Sequence, residues 1–552
     1  MLAEADVICG HNIIDYDIPV IKKLYPRWST KALIIDTMVI ARAVYPDIKS
    51  IDYGLFRAGK LPGQLIGRHS LEAWGYRLGE FKGGYGKKEN AWAFWTPDMS
   101  TYCIQDVKVT YKLYERLKKN PLSQECFELE HEVATIIAQQ QINGFLFNTK
   151  LAEELTAKLA VRRTELKQQL HNTFPPWYIG KGEFIPKRDN RKSGYVAGAP
   201  MTKIELVEFN PNSRPHIARV LKEKFGWEPT SFTENTGEPT INDEILAALP
   251  WPEAQLIGEY MLVVKRLGQI AEGDKAWLKY VNPQTGRIHG SINTNGAVTG
   301  RMTHFSPNMG QVPSVDSLYG TECRSMFMVS PGYVLVGCDA SGLEARCLAH
   351  YLARYDDGEY IDIVLNGNKA DGTDVHGRNM KALGLAKPEA KRWFYAWMYG
   401  AGDDLLGAIA GGDAKLGAKL RKKFLKAMPA IAKLIEDIQE RAKTVGKIRG
   451  LDGRIVPCRS PHSALNTLLQ GAGAIIMKKA LVLCHQKLQA AGIDYRFVAN
   501  VHDEFQIEVL EAHAERAGQI ARQAIVDAGV HFKFRCPLDG EYKIGNNWAE
   551  TH

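Results

Sequence analysis

Two short apolar runs, Tyr495–Val501 and Phe505–Val509, alternate with polar residues and are separated only by His502-Asp503-Glu504. Phe497, Ala499 and Val501 share one face of the first run; Phe505, Ile507 and Val509 share one face of the second. Period-two patterning broken by so short a polar step predicts a β-hairpin with two carboxylates at its tip. Adjacent carboxylates on a rigid backbone repel each other unless a cation neutralises them. The tip is therefore a candidate metal site, although a solvated acidic turn has the same local pattern. What decides between them must lie elsewhere in the chain.

At 552 residues the chain exceeds the ~250–300 at which a single core stops growing, so several domains are expected. A formal net charge of +8 permits a polyanionic partner without requiring one. Nine cysteines are scattered singly with no CxxC, which argues for reduced thiols and against a zinc ribbon. On this reading no apolar stretch approaches the ~20 residues of a membrane span. The start, Met1-Leu2-Ala3-Glu4-Ala5-Asp6, is acidic and unlike a signal peptide.

Residues 1–120 read as α/β, with buried-strand runs at Val7-Ile8-Cys9 and Ala32-Leu33-Ile34-Ile35. The second ends at Asp36, a place for a cation or for a helix N-cap. Asp17 follows the first strand, and Tyr102 and Asp106 lie four apart, on one face if helical. Residues 121–281 carry helical periodicity at Leu129–Ile142, Leu151–Leu170 and Ala254–Ala276. Between the second and third lies a Gly-, Pro- and charge-rich loop at 174–194, with Lys181, Lys187, Arg188, Arg191 and Lys192. Such a loop serves solubility as readily as phosphate contact.

Polar amide and guanidinium groups then gather at Thr299-Gly300-Arg301 and Asn308 to Gln311, suited to sugars, phosphates or base edges. The run Tyr333–Cys338 reads as an apolar strand ending at Asp339, followed by the small turn Ala340-Ser341-Gly342 and a helix near Leu343-Glu344. At 387–402, Pro388 suits a first helical turn and Gly400 a stop. Lys391, Tyr395 and Tyr399 then share one face over ~12 Å, with Lys387 at the positive helix end. Two cations and two rings on one face suit a triphosphate and a base; an amphipathic helix packing its tyrosines has the same spacing. Asn466 and Gln470 are four apart on another predicted helix.

The order of these features is more specific than any one of them. Thr-Gly-Arg, strand Asp with a following Glu, Lys-x3-Lys-x7-Tyr-Gly and hairpin His-Asp-Glu occur in that order between Thr299 and Glu504, within a resemblance that covers nearly the whole chain. On these motifs the chain resembles the family A (DNA polymerase I-like) DNA polymerases, in the bacteriophage replicative branch that includes the thioredoxin-recruiting coliphage enzyme. The resemblance implies a multidomain α/β and α+β chain: a right-hand polymerase preceded by a truncated RNase H-like 3′→5′ exonuclease-type domain. Its parts would be the exonuclease-like domain at 1–120, thumb at 121–281, palm at 282–351 and 467–552, and fingers at 352–466. Asp339, Asp503 and the Ala340 carbonyl would hold two Mg²⁺ ions, with Glu504 assisting near the primer terminus and His502 on the primer strand. Lys387, Lys391, His376 and Tyr395 would receive the dNTP, and Glu344 would close the space needed by a 2′-hydroxyl. Arg301, Asn308, Gln311, Asn466 and Gln470 would contact the duplex. Primer-template DNA and dNTPs are the implied partners, with helicase-primase and single-strand binding protein as companions in the cytoplasm of an infected bacterial host.

Three departures qualify the resemblance. Lys387 stands where the family usually has Arg, keeping the charge but losing the bidentate fork. The 174–194 loop is far shorter than the coliphage thioredoxin-binding insertion, so thioredoxin binding is not expected. Asp17, Tyr102 and Asp106 match the second and third acidic motifs of the exonuclease, but no Asp-x-Glu precedes His11. Little exonuclease activity is therefore expected. A single-subunit RNA polymerase, a nuclease and a non-catalytic DNA-binding homologue are the competing readings. Glu344, the incomplete acidic set and the retention of Asp339, Lys391 and Asp503 together count against them in turn.

Overall fold

The computed structural model describes residues 2–552 except Thr230, Glu234, Asn235 and the side chain of Glu244; Met1, part of the N-terminal reading, lies outside the described residues. The chain forms two compact units, one of residues 2–147 with Val281–His552 and one of Asn148–Tyr280. Helix Gln124–Asn143, inside the segment expected as thumb, belongs to the first unit, where its inner face carries Leu129, Val133, Ile136 and Ile137 into the main core.

The first unit is organised on a four-stranded antiparallel sheet. Its spatial order is Tyr495–Val501, Glu504–Leu510, Tyr333–Ala340 and Gly540–Gly545. Val336 and Cys338 alternate inward on one strand, Phe505, Ile507 and Val509 on its neighbour, and all join the main apolar core. Helices Ala464–Ala490 and Ala514–His531 pack together against this side, and Leu343–Leu352 packs on the first of them.

Helix Ala464–Ala490 overturns the expectation that no segment is long and apolar enough to span a membrane. Pro461–Ala490 passes that test, but 78% of its most apolar 18-residue window is buried inside the protein. Neighbours on several sides require apolar residues nearly all round a helix, and this produces a span-like composition. The polar interruptions Gln470, Lys478 and Lys479 concealed it in the sequence.

In the N-terminal region Val7–Gly10 pairs in parallel with Leu33–Asp36. Asp36 is the cap of helix Thr37–Val44, accepting from the Met38 N–H at 2.8 Å and also from the N–H groups of Asn12 and Ile14 at 2.9 and 3.1 Å. The two readings of that carboxylate thus resolve in favour of the cap. Nearby, His11 bonds through Nδ1 to Thr37 Oγ1 and through Nε2 to the His69 carbonyl, both at 2.9 Å. Burial pushes His11 down to about 4 and His69 to about 3. A histidine held neutral when folded but free to protonate when unfolded withdraws stability as pH falls through ~6.5, until its folded value is reached. For His11 the loss is about 2 kcal/mol at pH 5. Thermal melts between pH 7 and 4.5 are expected to show this slope, and His11→Gln to flatten it.

In the second unit, helices Thr149–Thr173 and Pro252–Leu267 pack together, with Arg162 and Glu259 paired at 2.7 Å. The 174–194 segment is not a plain loop. Trp177–Phe184 pairs in antiparallel register with Met201–Val207, and only the connection between them is irregular. Cross-strand partners supplied from beyond residue 200, which a local reading does not see, make the strand.

Candidate active site

Asp339 is the penultimate residue of its strand, directly opposite Glu504 on one side and Glu541 on the other, and Ala340, expected in the following turn, ends the strand. The turn His502–Asp503 joins the neighbouring strands, with His502 in the left-handed region at φ 56°. The Ala340 N–H donates to the Asp503 carbonyl at 3.1 Å, which fixes the turn against the end of the Asp339 strand. Packed surroundings at an otherwise open position, with the charges of Asp503 and Glu504 nearby, push the Asp339 carboxyl up to about 7. His552 offsets this only in part. Burial, reinforced by Glu344, likewise raises Asp503.

Glu504 is not free at the hairpin tip. It is buried, accepting from the Trp548 indole N–H at 2.8 Å, bonded to His552 Nδ1 at 2.6 Å, with Arg324 at 3.8 Å. This separates the two acids of the motif: Asp503 stays at the turn, whereas Glu504 is tied to the C-terminal residues. Hard oxygen donors from Asp339, Asp503 and the Ala340 carbonyl, at a place where negative charge is under-compensated, fit a small divalent cation such as Mg²⁺. Among the described residues no cluster of three or more His, Cys, Asp or Glu groups forms a ready-made metal cage.

Glu344 stands in the first turn of helix Leu343–Leu352 and is held from two sides. Arg301 Nη2 donates to one oxygen at 3.0 Å, and the Tyr399 hydroxyl donates to the other. The Tyr399 role was not assigned from the sequence, although its spacing from Tyr395 carried the signal. Helix Lys387–Met398 begins with Pro388 in its first turn and carries the half-buried Tyr395. Tyr395 and Tyr399 stack with centroids 6.5 Å apart, and His376 lies 6.3 Å from Tyr395. Lys387 and Lys391 are exposed and, among the described residues, pair with no carboxylate. Burial lowers His376, and the charges of Lys391 and Lys387 lower it further, so these groups share one neighbourhood. Burial and the charges of Glu344 and Asp503 raise Tyr395, which connects this helix to the carboxylates.

The remaining residues surround this centre. Asn466 donates to the Tyr399 carbonyl at 3.1 Å, and Gln470 follows on the same half-exposed face of helix Ala464–Ala490. Asn308 caps the short turn Met309–Gln311 through the Gly310 N–H, and His502 is exposed beside His304. Further away, Lys82 pairs with Asp106 at 3.0 Å and lies 5.0 Å over Tyr102, while Asp17 is exposed at the start of helix Asp17–Leu24. Among the described residues, no hydrogen bond or ion pair joins Asp17 to the other two.

The sequence profile described as DNA polymerase family A matches residues 197–550. The chain is 40% identical to the DNA-directed DNA polymerase of Enterobacteria phage T3, over 99% of this chain and 92% of that protein. It is 39% identical to the corresponding enzyme of Escherichia phage T7, over 100% and 93%. The polymerase domain of Pol1 from M. smegmatis, solved with DNA primer-template and dNTP, superposes with a TM-score of 0.72 at 18% identity, covering 98% of this chain and 86% of that one. Profile, near full-length similarity and shared fold agree: the chain belongs to DNA polymerase family A.

Proposed function

We propose that this protein is a phage replicative DNA polymerase, adding dNTPs to a primer 3′-hydroxyl under the direction of a template. The observation that carries the reading is the convergence on one centre of Asp339 and Asp503, the clamped Glu344, and the Lys387–Tyr395 helix face. Two Mg²⁺ ions held by Asp339, Asp503 and the Ala340 carbonyl would activate the primer hydroxyl and neutralise charge on the triphosphate. The unpaired Lys387 and Lys391 would bind the triphosphate, and His376 would hydrogen-bond it from the adjacent helix. Tyr395 would stack beside the incoming sugar and base.

Glu344, fixed by Arg301 and Tyr399, would occupy the room a 2′-hydroxyl needs, at no cost in disorder because both its oxygens are already held. Arg301, Asn308, Gln311, Asn466 and Gln470 would test base-pair shape from the minor groove, where every correct pair presents acceptors. His502 would meet the primer strand, with Glu504 acting behind it through Trp548 and His552. The hand assignment is palm at 282–351 and 467–552, fingers at 352–466 and thumb within 121–281, the action being in the host cytoplasm. Residues 1–120 are read as an exonuclease-like domain of little activity, with Lys82 already engaging Asp106 and Tyr102. The short 174–194 segment favours a processivity source other than thioredoxin.

Primer extension with each nucleotide class tests the reading. Glu344→Ala is expected to reduce the preference for dNTPs over rNTPs by about 10- to 100-fold, since a steric exclusion of this kind is worth ~1–3 kcal/mol. Tyr399→Phe, which frees one carboxylate oxygen, should do so to a smaller degree. A wild-type chain that extended with rNTPs as readily as with dNTPs would mark it as an RNA polymerase instead.

A further inference from the structure

Behind the Arg301 turn lies a set of charges that the reaction itself does not use. Glu130, Asp452, Arg454 and Lys478 are almost wholly buried, and their two positive and two negative charges cancel. Arg454 Nε donates to both Asp452 oxygens at 3.0 and 2.8 Å, and Arg454 Nη2 donates to Glu130. Lys478 Nζ donates to Glu130 Oε1 at 2.7 Å. They come from helix Gln124–Asn143, from the turn between strands Lys447–Arg449 and Ile455–Pro457, and from helix Ala464–Ala490.

One neutral side chain connects this set to the site. Asn295 Oδ1 accepts from Lys478 at 2.9 Å and from Arg454 Nη1 at 3.2 Å, while its Nδ2 donates to Glu130. Asn295 opens a closed turn in which the Gly296 and Ala297 N–H groups both donate to the Arg301 carbonyl at 3.2 Å. Gly300 has φ +81°, and a Cβ there would come within 2.7 Å of Arg454 Nη1. The glycine of the Thr-Gly-Arg motif is thus required by close approach of the guanidinium as well as by its backbone conformation.

We propose, building on the polymerase reading, that Asn295 is a positioning residue for sugar selection: it fixes the turn bearing Arg301 to the buried ion set, and so holds Arg301 against Glu344. A buried ion set is often no more stabilising than well-packed apolar residues, whereas its directional bonds fix position. Here helix Gln124–Asn143 is set in one place against a turn and a helix more than 300 residues further along the chain, and a single amide transmits that placement to the Arg301 turn. Asn295 touches no substrate; it acts through Arg301 and Glu344.

Asn295→Ala in the full chain leaves the four charges paired with one another, so folding is retained; near-isosteric Asn295→Leu serves if the smaller side chain leaves a damaging cavity. The measurement is kcat/KM for a dNTP and its matching rNTP. The ratio is expected to fall about tenfold in Asn295→Ala, and not to fall further when Asn295→Ala is added to Glu344→Ala. A general loss of folded enzyme lowers both constants together and leaves the ratio in place, so an unchanged ratio overturns the proposal. A further fall in the double variant also overturns it, since the effect would then bypass Glu344. A wild-type chain that extends no primer at all overturns the polymerase reading and this inference with it, an outcome distinguishable from either of the others.

Discussion

Asp339→Asn is expected to reduce primer extension by about a thousandfold or more while leaving the protein folded, and in metal-free buffer more stable than the wild type. Packed surroundings and the charges of Asp503 and Glu504 push the Asp339 carboxyl up to about 7, so ionisation there works against the fold. A carboxyl raised in this way contributes most below its unfolded value near ~4, and that contribution is lost as pH rises through ~7. The amide removes the cost. Because the residue is open to solvent, screening limits the gain to about 1–2 kcal/mol at pH 8. Thermal melts in EDTA at pH 8 and pH 4 check it: the stabilisation should be present at the first and vanish at the second. Undiminished extension by the variant would refute the metal-ligand role. A loss of activity accompanied by loss of fold would instead point to a structural carboxylate.

Arg287→Met should destabilise the protein by about 2–3 kcal/mol, the loss of a buried carboxylate's principal charged donor, with the Arg496 guanidinium left at 3.6 Å. Arg287 Nη2 donates to both oxygens of Glu508 at 2.9 and 2.7 Å, the Ser330 N–H donates at 2.7 Å, and Glu508 is 1% exposed. Burial by itself would raise the Glu508 carboxyl; the Ser330 N–H and Arg287 outweigh it and hold the group low. Such a group contributes stability above its unfolded value near ~4.3, and loses it as pH falls through the folded value. Urea unfolding at pH 7 is the measurement, with Arg287→Met/Glu508→Gln expected to recover much of the loss. This pair ties the short strand Arg287–Ile288 to the four-stranded sheet, so its removal should also lower the yield of active enzyme without changing the dNTP to rNTP preference.

The same sequence patterns differed in how far they could be read. The hairpin at 495–510 was legible because alternation and a polar break are local properties. The Lys391, Tyr395 and Tyr399 face was legible because helical spacing is also local. Asp36 was ambiguous, since capping and cation binding demand the same residue in the same place, and only the four backbone donors around it decided the matter. The span-length apolar run in helix Ala464–Ala490 was not legible, because Gln470 and Lys478 interrupt it in sequence while Lys478 finds its partner inside the fold. The 174–194 segment hid a strand whose partner lies beyond residue 200.

What the sequence alone determined was the inventory of chemistry and its order along the chain: Asp339 before Lys391 before Asp503, each on an element of readable period. It could not determine which groups each carboxylate meets. Asp503 stays half-buried at the turn and Glu504 is occupied by Trp548 and His552, although the two are adjacent in sequence. Tyr399, Arg301 and Glu344 form one clamp across almost a hundred residues, and Asn295 joins Glu130, Arg454 and Lys478 across more. The physical reason is range. Periodicity and turn chemistry act over a few residues, whereas hydrogen bonds and charge pairing depend on distance in space, which only the packed sheet and its helices set.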